Sequence, residues 1–502
     1  MFTFSEIMKQ RKTLAMGALV MLTVIGYNVL RGMKKVIMLT LPTAGAAYIP
    51  FVKTMLVMPL SIIIGAFYLF VRHRRGIVTA YYIVTLSFLA YFVLFTFVLL
   101  PNLSFFTADP NWIASTQQNY PHFKFLVGLL ANWPIAIYYV AAELWGTYAL
   151  VVLFWQIANE LYTPQEATTT FPFFIFISSI SIIIASFALQ LLSLTSNPLV
   201  SCTTTMGLLS VGMVSIVFGL NRTHRFNQTG AEQALKKKHK ISLLDSMRLT
   251  FASPHVFYIG VCVFSFGMLV NFFELSLDHK LAEYYVDTKQ LLEFQSWFTR
   301  TKGLLCILAN FANALLMRRL GWFGVAMITP CVCILSANLF LFSTYHIHFL
   351  QHTLQLTSAE ELILLTGCVL LVITYACKYS FFDTTKELAF TPLPNSVKAS
   401  AKAVADGICG RAGKSGSSFV QATLITITAA QSVPDIIPYL MYFGAALSVF
   451  WIWSMTKLNQ SYVEKMRAIA TETPSESPNT AADQAASPVS ASADRLEPTP
   501  SA

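Results

Sequence analysis

Four ionisable residues, Lys53, Glu143, Glu274 and Lys414, lie in segments that otherwise read as membrane-spanning helix. A charged side chain that faces lipid at mid-membrane costs about 3 kcal/mol or more. Such residues therefore face a cavity, a partner or a substrate. Lysine offers a strong positive charge to phosphate, whereas glutamate accepts hydrogen bonds from amines or hydroxyls, pairs with lysine, or carries a proton.

The simplest explanation of these four charges is mutual pairing that only orients helices. They fall in four different predicted helices, two in each half of the chain. That distribution favours a site between the two halves, for a substrate with both anionic and hydrogen-bonding parts. Arg411 would add a planar group that can bind phosphate oxygens at two points.

The composition identifies the class of protein. Of 502 residues, 55% are apolar and 12% are charged, and the mean hydropathy of +0.60 is too high for a soluble protein. Apolar blocks of about 20 residues match helices that cross the hydrocarbon core rather than the alternating strands of a barrel. We predict an all-α polytopic membrane protein with twelve transmembrane helices. The predicted spans lie near residues 13–30, 48–71, 77–100, 134–157, 170–194, 203–220, 255–277, 295–316, 321–343, 361–382, 402–430 and 434–457.

The spacing of the spans predicts the domain organisation. Six spans in residues 1–220 and six in residues 255–460 flank a basic, hydrophilic linker at 221–254. This 6+6 arrangement is typical of major-facilitator-type transporters, whose halves rock around a central site. Residues 461–502 are rich in Ser, Pro, Ala and Thr and are predicted to form a disordered cytoplasmic tail.

Basic residues collect on one side of the predicted topology, for example at Arg72, Arg75, Arg318 and Arg319. The positive-inside rule then places both termini in the cytoplasm. The net charge of +10 is spread over several short loops, so we expect no nucleic-acid partner. The lysines of the run 236–240 are candidates for contact with anionic membrane lipids.

The sequence gives weaker support for other kinds of functional site. His346, His348 and His352 lack a nearby carboxylate or cysteine that would complete a metal site, so no metal and no cofactor are expected. The segment 410–416 resembles a phosphate-binding loop, but the required first glycine is replaced by Ile408. No catalytic triad stands out, which argues against an enzyme.

Longer motifs carry a resemblance to a known family. They are AYIPFVK at 47–53, AELWG at 142–146, LFWQIAN at 153–159, NFFE at 271–274, KYSFFDTTKELA at 378–389 and GKSG at 413–416. With these motifs the chain resembles the nucleotide transporter family, the ATP/ADP translocases of obligate intracellular bacteria and plastids. The resemblance extends over most of residues 25–460. It implies a twelve-helix major-facilitator-like fold, a bacterial cytoplasmic membrane location, and roles in transport for Lys53, Glu143, Glu274 and Lys414.

The chain also departs from the family pattern. After Arg31 the family usually has an acidic residue and then a Lys-Asp pair, where this chain has the more basic stretch 32–35. Ala131 replaces a usual arginine, Thr168 a usual basic residue and Asp278 a usual lysine. These positions bear on which nucleotide is preferred.

The resulting hypothesis is a nucleotide transporter that works by alternating access, with ATP/ADP exchange as the first choice. Import of GTP, UTP or CTP with protons, NAD/ADP exchange, and carriage of other organic anions are the alternatives. Lys53, Lys414 and Arg411 would hold phosphates, while Glu143 and Glu274 would bind base or ribose. Asn271, Tyr138 and Trp145 are further candidate contacts, the two aromatic residues by stacking on the base.

Overall fold

The structure is a computed structural model that describes residues 11–40, 45–224, 253–354 and 359–472. Within these ranges the regular structure is helical throughout, as predicted. Most of the predicted linker at 221–254 and the tail beyond residue 472 lie outside the described residues. The same is true of the lysine run 236–240.

Long helices follow one another along both halves of the described chain. Those of the first half are α1 (Arg11–Thr40), α2 (46–75), α3 (77–99), α4 (Trp133–Leu161), α5 (Pro164–Ser193) and α6 (Pro198–His224). Those of the second half are α7 (Pro254–Tyr284), α8 (288–320), α9 (322–345), α10 (Ala359–Ala389), α11 (395–428) and α12 (Ile437–Glu472).

Two of the connections between helices consist of a single glycine. Gly76 joins α2 to α3 with φ 81° and ψ 171°, and Gly321 joins α8 to α9 with φ 69° and ψ −178°. This backbone region is accessible almost only to glycine. The two reversals occur at corresponding places in the two halves, between the second and third helix of each.

Nine stretches of the described chain are long and apolar enough to span a membrane. Two of them contain the bends at Gly76 and Gly321 and therefore hold two helices each. Helix α11 is more polar and completes the twelve. Many large apolar side chains on the outside of the bundle are exposed, for example Ile62, Phe311 and Val449, as expected for a surface that faces lipid.

Helices α1 and α12 run furthest beyond their predicted ends. Helix α1 continues to Thr40 instead of ending near residue 30, so Arg31, Lys34 and Lys35 lie inside the bundle. The charges do not end the helix because each has a polar partner there. Helix α12 continues to Glu472, so residues 461–472, predicted as part of the disordered tail, are helical. The ring of Tyr462 stacks on Trp322 at 4.3 Å, which holds this extension against α9.

The two halves are joined at one end of the bundle. We call the end where α1 begins and α12 finishes the terminal end, and the other the far end. Polar contacts between the halves at the far end join Thr40 Oγ1 to Thr288 Oγ1 (3.0 Å), His122 Nδ1 to the Thr426 carbonyl (2.8 Å) and Lys124 Nζ to Gln431 Oε1 (2.8 Å).

Ion pairs at the terminal end lie within one half each, among the residues that the structure describes. Lys12 pairs with Glu166 and Arg72 with Glu160 in the first half. In the second half, Lys386 pairs with Asp406, and Lys402 with Glu387. The halves are therefore tied together at the far end, whereas no such tie crosses between them at the terminal end of the described chain.

Replacing Gly321 with alanine should destabilise the protein by about 1 to 3 kcal/mol, because the new side chain would occupy a backbone region that disfavours it. A Cβ at this position would meet nothing within 4 Å, so crowding adds no cost. Gly219 in α6 is equally open but has no positive φ. Gly219→Ala is the matched control and should leave the melting temperature in detergent unchanged or slightly higher. Equal melting temperatures for the two variants would contradict the assigned role of Gly321.

Candidate functional site

Charged residues from both halves gather in the middle of the bundle, nearer to the far end. We call them the central cluster, which has six cations and three carboxylates. Its members are Arg31, Lys34 and Lys35 on α1, Lys53 on α2, Glu143 on α4, Glu274 and Asp278 on α7, Lys302 on α8 and Lys414 on α11. The cluster has a formal net charge of +3 when all members are ionised.

Each carboxylate of the central cluster has a cationic partner. Within the first half, Lys34 forms an ion pair with Glu143. Between the halves, Lys35 Nζ lies 2.5 Å from Asp278 Oδ1, and Arg31 Nη2 lies 3.2 Å from Glu274 Oε1. Two of these three pairs therefore join the first half of the chain to the second.

Glu274 has a second partner. The hydroxyl of Tyr375 on α10 donates a hydrogen bond to Glu274 Oε1 (2.5 Å) and accepts one from Arg31 Nη2 (3.0 Å). The Arg31 guanidinium also lies 5.3 Å from the centre of the Tyr375 ring. Arg31, Glu274 and Tyr375 thus form a closed triangle of hydrogen bonds that ties α1 to α7 and α10.

Lys53 has no carboxylate partner among the described residues. Its Nζ donates to Asn271 Oδ1 (3.0 Å), and the Asn271 side chain donates in turn to the Gly267 carbonyl (2.7 Å). Gln421 on α11 donates to the Asn271 carbonyl (3.0 Å). Asn271 is buried and holds Lys53 in place, leaving the lysine with hydrogen-bonding capacity for a ligand.

Lys414 is placed by an unusually close crossing of α7 and α11. A Cβ on Gly413 would meet the Phe264 carbonyl at 2.5 Å, and a Cβ on Gly267 would meet the backbone of Gly413 at 3.4 Å. The absence of a side chain at Gly413 therefore lets the backbone of α7 approach closely. Lys414 is exposed, although it lies inside the bundle, and has no ion-pair partner in the described chain.

Lys302 is the third lysine of the cluster without a carboxylate partner in the described part of the chain. It is buried, with 4% of its surface exposed, and its Nζ lies 5.9 Å from the centre of the Tyr375 ring. Arg31 and Glu274 are within electrostatic reach. Three unpaired lysines are therefore the source of the excess positive charge.

Four π-helical segments adjoin the cluster. They are Val52–Val57, which contains Lys53, Thr147–Phe154, which follows Glu143 by one turn, Lys378–Phe382 on α10, and Ala403–Cys409, which precedes Lys414. Wider helical turns of this kind occur frequently at functional sites, because they redirect side chains and free backbone groups.

The structure brings all four charged residues predicted from the sequence, Lys53, Glu143, Glu274 and Lys414, into one cluster. Asn271 also belongs to the site through its bond to Lys53. Arg411 lies exposed on α11, about one turn from Lys414 toward the terminal end. The side chain of Thr168 is outside the described part of the chain.

The expected placement of Tyr138 and Trp145 on the cavity wall is wrong. Both are 1% exposed: Tyr138 packs on Phe95 with ring centres 4.5 Å apart, and Trp145 packs against Gly26. The two residues are seven positions apart and share one face of α4, whereas Glu143 lies about 140° around the helix from Tyr138. The aromatic residue on the Glu143 face is Tyr139, whose ring lies 4.8 Å from Lys34 Nζ.

Sequence reasoning also missed Arg31, Lys34, Lys35 and Lys302 as members of the site. Lys302 lies within the predicted eighth span, so the rule that selected Lys53 applies to it equally and could have found it. The three residues of α1 were missed because the first span was ended too early. Among the described residues, no three His, Cys, Asp or Glu side chains group together in a way that could hold a metal ion.

A family model described as TLC ATP/ADP transporter matches residues 4–462. The chain belongs to this family. The family is one of transporters, so the sequence-based predictions of the family and of a non-enzymatic function are confirmed. The TLC transporter described here is a multi-pass membrane protein.

Curated relatives of this TLC transporter match it along nearly the whole chain. ADP,ATP carrier protein 3 of Rickettsia conorii is 26% identical over 480 residues, which cover 91% of this chain and 95% of the relative. ADP,ATP carrier protein 1 of Rickettsia bellii is 28% identical over 469 residues, with 90% and 94% coverage.

Solved structures confirm the predicted major-facilitator-like fold. A bacterial homologue of the iron transporter ferroportin, in an inward-facing state, superposes with a TM-score of 0.58 and 14% identity, covering 89% of this chain and 98% of that one. A nucleoside transporter superposes with a TM-score of 0.56 and 14% identity, covering 88% and 100%. At this identity the likeness concerns the fold alone.

Two departures of this TLC transporter from the family pattern meet in one ion pair. The basic stretch of α1 contributes Lys35, and α7 contributes Asp278 where a lysine is usual. The extra positive charge on one helix is thus balanced by a negative charge on the other.

Asp278→Asn should lower the melting temperature clearly, because it leaves Lys35 as an uncompensated charge in a buried site. Breaking a buried ion pair by removing one partner costs about 3 to 5 kcal/mol. The double variant Lys35→Asp/Asp278→Lys should recover much of the loss. Glu283→Gln is the control, since Glu283 is half exposed and its pair with Lys280 contributes less than about 1 kcal/mol. A double variant no more stable than Asp278→Asn would refute the pairing.

Proposed function

We propose that this protein exchanges ATP and ADP across a bacterial cytoplasmic membrane by alternating access. The observation that carries the proposal is the net positive charge of the central cluster, in which Lys53, Lys302 and Lys414 lack carboxylate partners within the described chain. Uncompensated cations in a low-dielectric site are costly unless an anion binds to them. The names of the carrier relatives point to the same substrates.

The accessible lysines are the proposed phosphate ligands. Lys53 is partly exposed and Lys414 is exposed, and they come from different halves of the chain, so one phosphate chain between them would contact both halves. Lys302 is buried and adds to the positive potential without needing direct contact. Arg411, one turn from Lys414, is placed to meet a phosphate that enters from the terminal end.

The carboxylates of the central cluster have a different role from the lysines. Phosphate would repel Glu143 and Glu274 but attract their partners Lys34 and Arg31, so binding loosens these pairs. A loosened carboxylate can accept a hydrogen bond from a ribose hydroxyl or an exocyclic amine. Proton symport would call for a carboxylate without a cationic partner, whereas all three cluster carboxylates are ion-paired.

Obligatory exchange follows from the same charges. Contacts across the centre, Arg31 with Glu274, Lys35 with Asp278 and Lys53 with Asn271, hold the halves together when the site is empty. Reorientation of the empty carrier would have to break them while the lysines remain uncompensated. A bound nucleotide supplies both the negative charge and the replacement contacts, so only the loaded carrier reorients readily.

The positive-inside rule orients the protein in this proposal, with both termini in the cytoplasm. The terminal end then faces the cytoplasm, and the far end, where the halves are tied together, faces outward. The structure would represent a state whose site is accessible from the cytoplasm. Anionic lipid headgroups next to the basic residues of the terminal end would support this orientation.

Lys53→Ala and Lys414→Ala should each reduce ATP uptake into proteoliposomes preloaded with ADP by about 10- to 100-fold at low substrate concentration. Each removes a charge-assisted hydrogen bond to phosphate, worth about 1.5 to 3 kcal/mol. The measurement is initial uptake of labelled ATP with and without internal ADP. Labelled GTP, UTP, CTP and NAD offered to the same vesicles give the preference among nucleotides.

Lys457→Ala is the matched control, because Lys457 lies near the terminal end of α12 and its one side-chain hydrogen bond within the described chain goes to Gln460 Oε1 (3.3 Å). This variant should transport at the wild-type rate. Nucleotide transport would be disproved if the wild type took up none of the offered nucleotides faster than Lys53→Ala does. Uptake that does not depend on internal ADP would disprove exchange.

A further inference from the structure

Tyr379 on α10 is 38% exposed, although it lies in the membrane-spanning part of the helix. Its surroundings are ionic and do not resemble a lipid-facing surface. Lys378 Nζ lies 4.3 Å from the centre of its ring, and Arg31 and Lys414 are within electrostatic reach. The exposed part of Tyr379 therefore faces the cavity that contains the central cluster.

The other aromatic rings beside the cluster are already covered. Tyr139 and Tyr375 are only 5% and 7% exposed, whereas Tyr379 is 38% exposed even with Lys378 Nζ 4.3 Å from its ring centre. Tyr379 stands four residues after Tyr375 on the same face of α10. Their rings are nearly parallel, at 13°, with centres 6.0 Å apart. Together they form an aromatic surface whose accessible part is Tyr379.

We infer that the ring of Tyr379 is the surface on which the base of the transported nucleotide packs. The inference rests on the proposed nucleotide exchange and adds the location of the base to it. An aromatic side chain stacks on any base, because every base has a π-face. Tyr379 thereby takes the role that the sequence had suggested for Tyr138 and Trp145.

The position of Tyr379 agrees with the direction in which a nucleotide would lie. Helix α10 begins at the far end, so Tyr379 lies about 6 Å closer to the terminal end than Tyr375. Lys53 lies only a few residues from the far-end start of α2. A nucleotide with its phosphates at Lys53 and Lys414 would therefore extend its base toward Tyr379 and the terminal end.

The ring is also held in place before a ligand arrives. Lys378 Nζ, which lies over the ring, is fixed by an ion pair with Asp383 Oδ2 at 2.9 Å. The Tyr379 hydroxyl has no hydrogen-bond partner among the described residues, so the ring and not the hydroxyl is the contribution of this residue. A pre-positioned ring loses little conformational freedom when a base packs on it.

The test compares ADP with inorganic pyrophosphate, which has phosphates but no base, on the full-length protein in detergent by calorimetric titration. Tyr379→Ala should weaken ADP binding about tenfold, in the range of base-aromatic stacking, and leave pyrophosphate binding unchanged. Tyr379→Phe, which keeps the ring, should bind ADP as the wild type does. Tyr442→Ala, at an exposed tyrosine of α12, is the matched control and should change neither affinity.

Unchanged ADP affinity in Tyr379→Ala would overturn the inference, and so would an equal loss for ADP and pyrophosphate, which would indicate a general disturbance of the site. If Tyr379→Phe lost as much ADP affinity as Tyr379→Ala, the effect would belong to the hydroxyl, and the inference would again be overturned. Failure of the proposed function looks different: the wild type would then bind no ADP at all.

Discussion

The structure depends on an imbalance of charge inside the membrane-spanning bundle. Six cations and three carboxylates meet between the two halves, and the three carboxylates are satisfied by ion pairs with Arg31, Lys34 and Lys35. The remaining lysines come from helices of both halves. A low dielectric makes such an excess costly in the empty protein and makes an anion with several charges a strong ligand. The central cluster is thus a source of instability in the empty protein and, in the proposed function, the site where the anion binds.

The contacts between the halves connect this imbalance to movement. Polar ties at the far end close the bundle there, while ion pairs at the terminal end stay within their own halves in the described chain. The central contacts of Arg31, Lys35 and Lys53 bridge the halves at the level of the site. A ligand that competes for these same cations necessarily acts on the contacts that fix the orientation of the halves. In the proposed function, binding and reorientation are coupled because they use the same residues.

Four members of the central cluster could be predicted from the sequence because the cost of a charge in a membrane span is a local property. Lys53, Glu143, Glu274 and Lys414 could be selected without knowing any contact. Partners depend on helix rotation and on where helices end, and there the predictions were less successful. The first span was predicted to end near residue 30, although Arg31 lies within α1 and contacts Glu274. Tyr138 and Trp145 were chosen by residue type, although the helical period places Tyr139 beside Glu143.

The most direct test of the central claim is the experimental structure of the full-length protein with ADP bound. The claim is that the unpaired lysines of both halves form one phosphate site. The diphosphate should then lie between the halves, with its oxygens about 3 Å from the Nζ atoms of Lys53 and Lys414. A diphosphate bound to one half only, or away from both lysines, would contradict it.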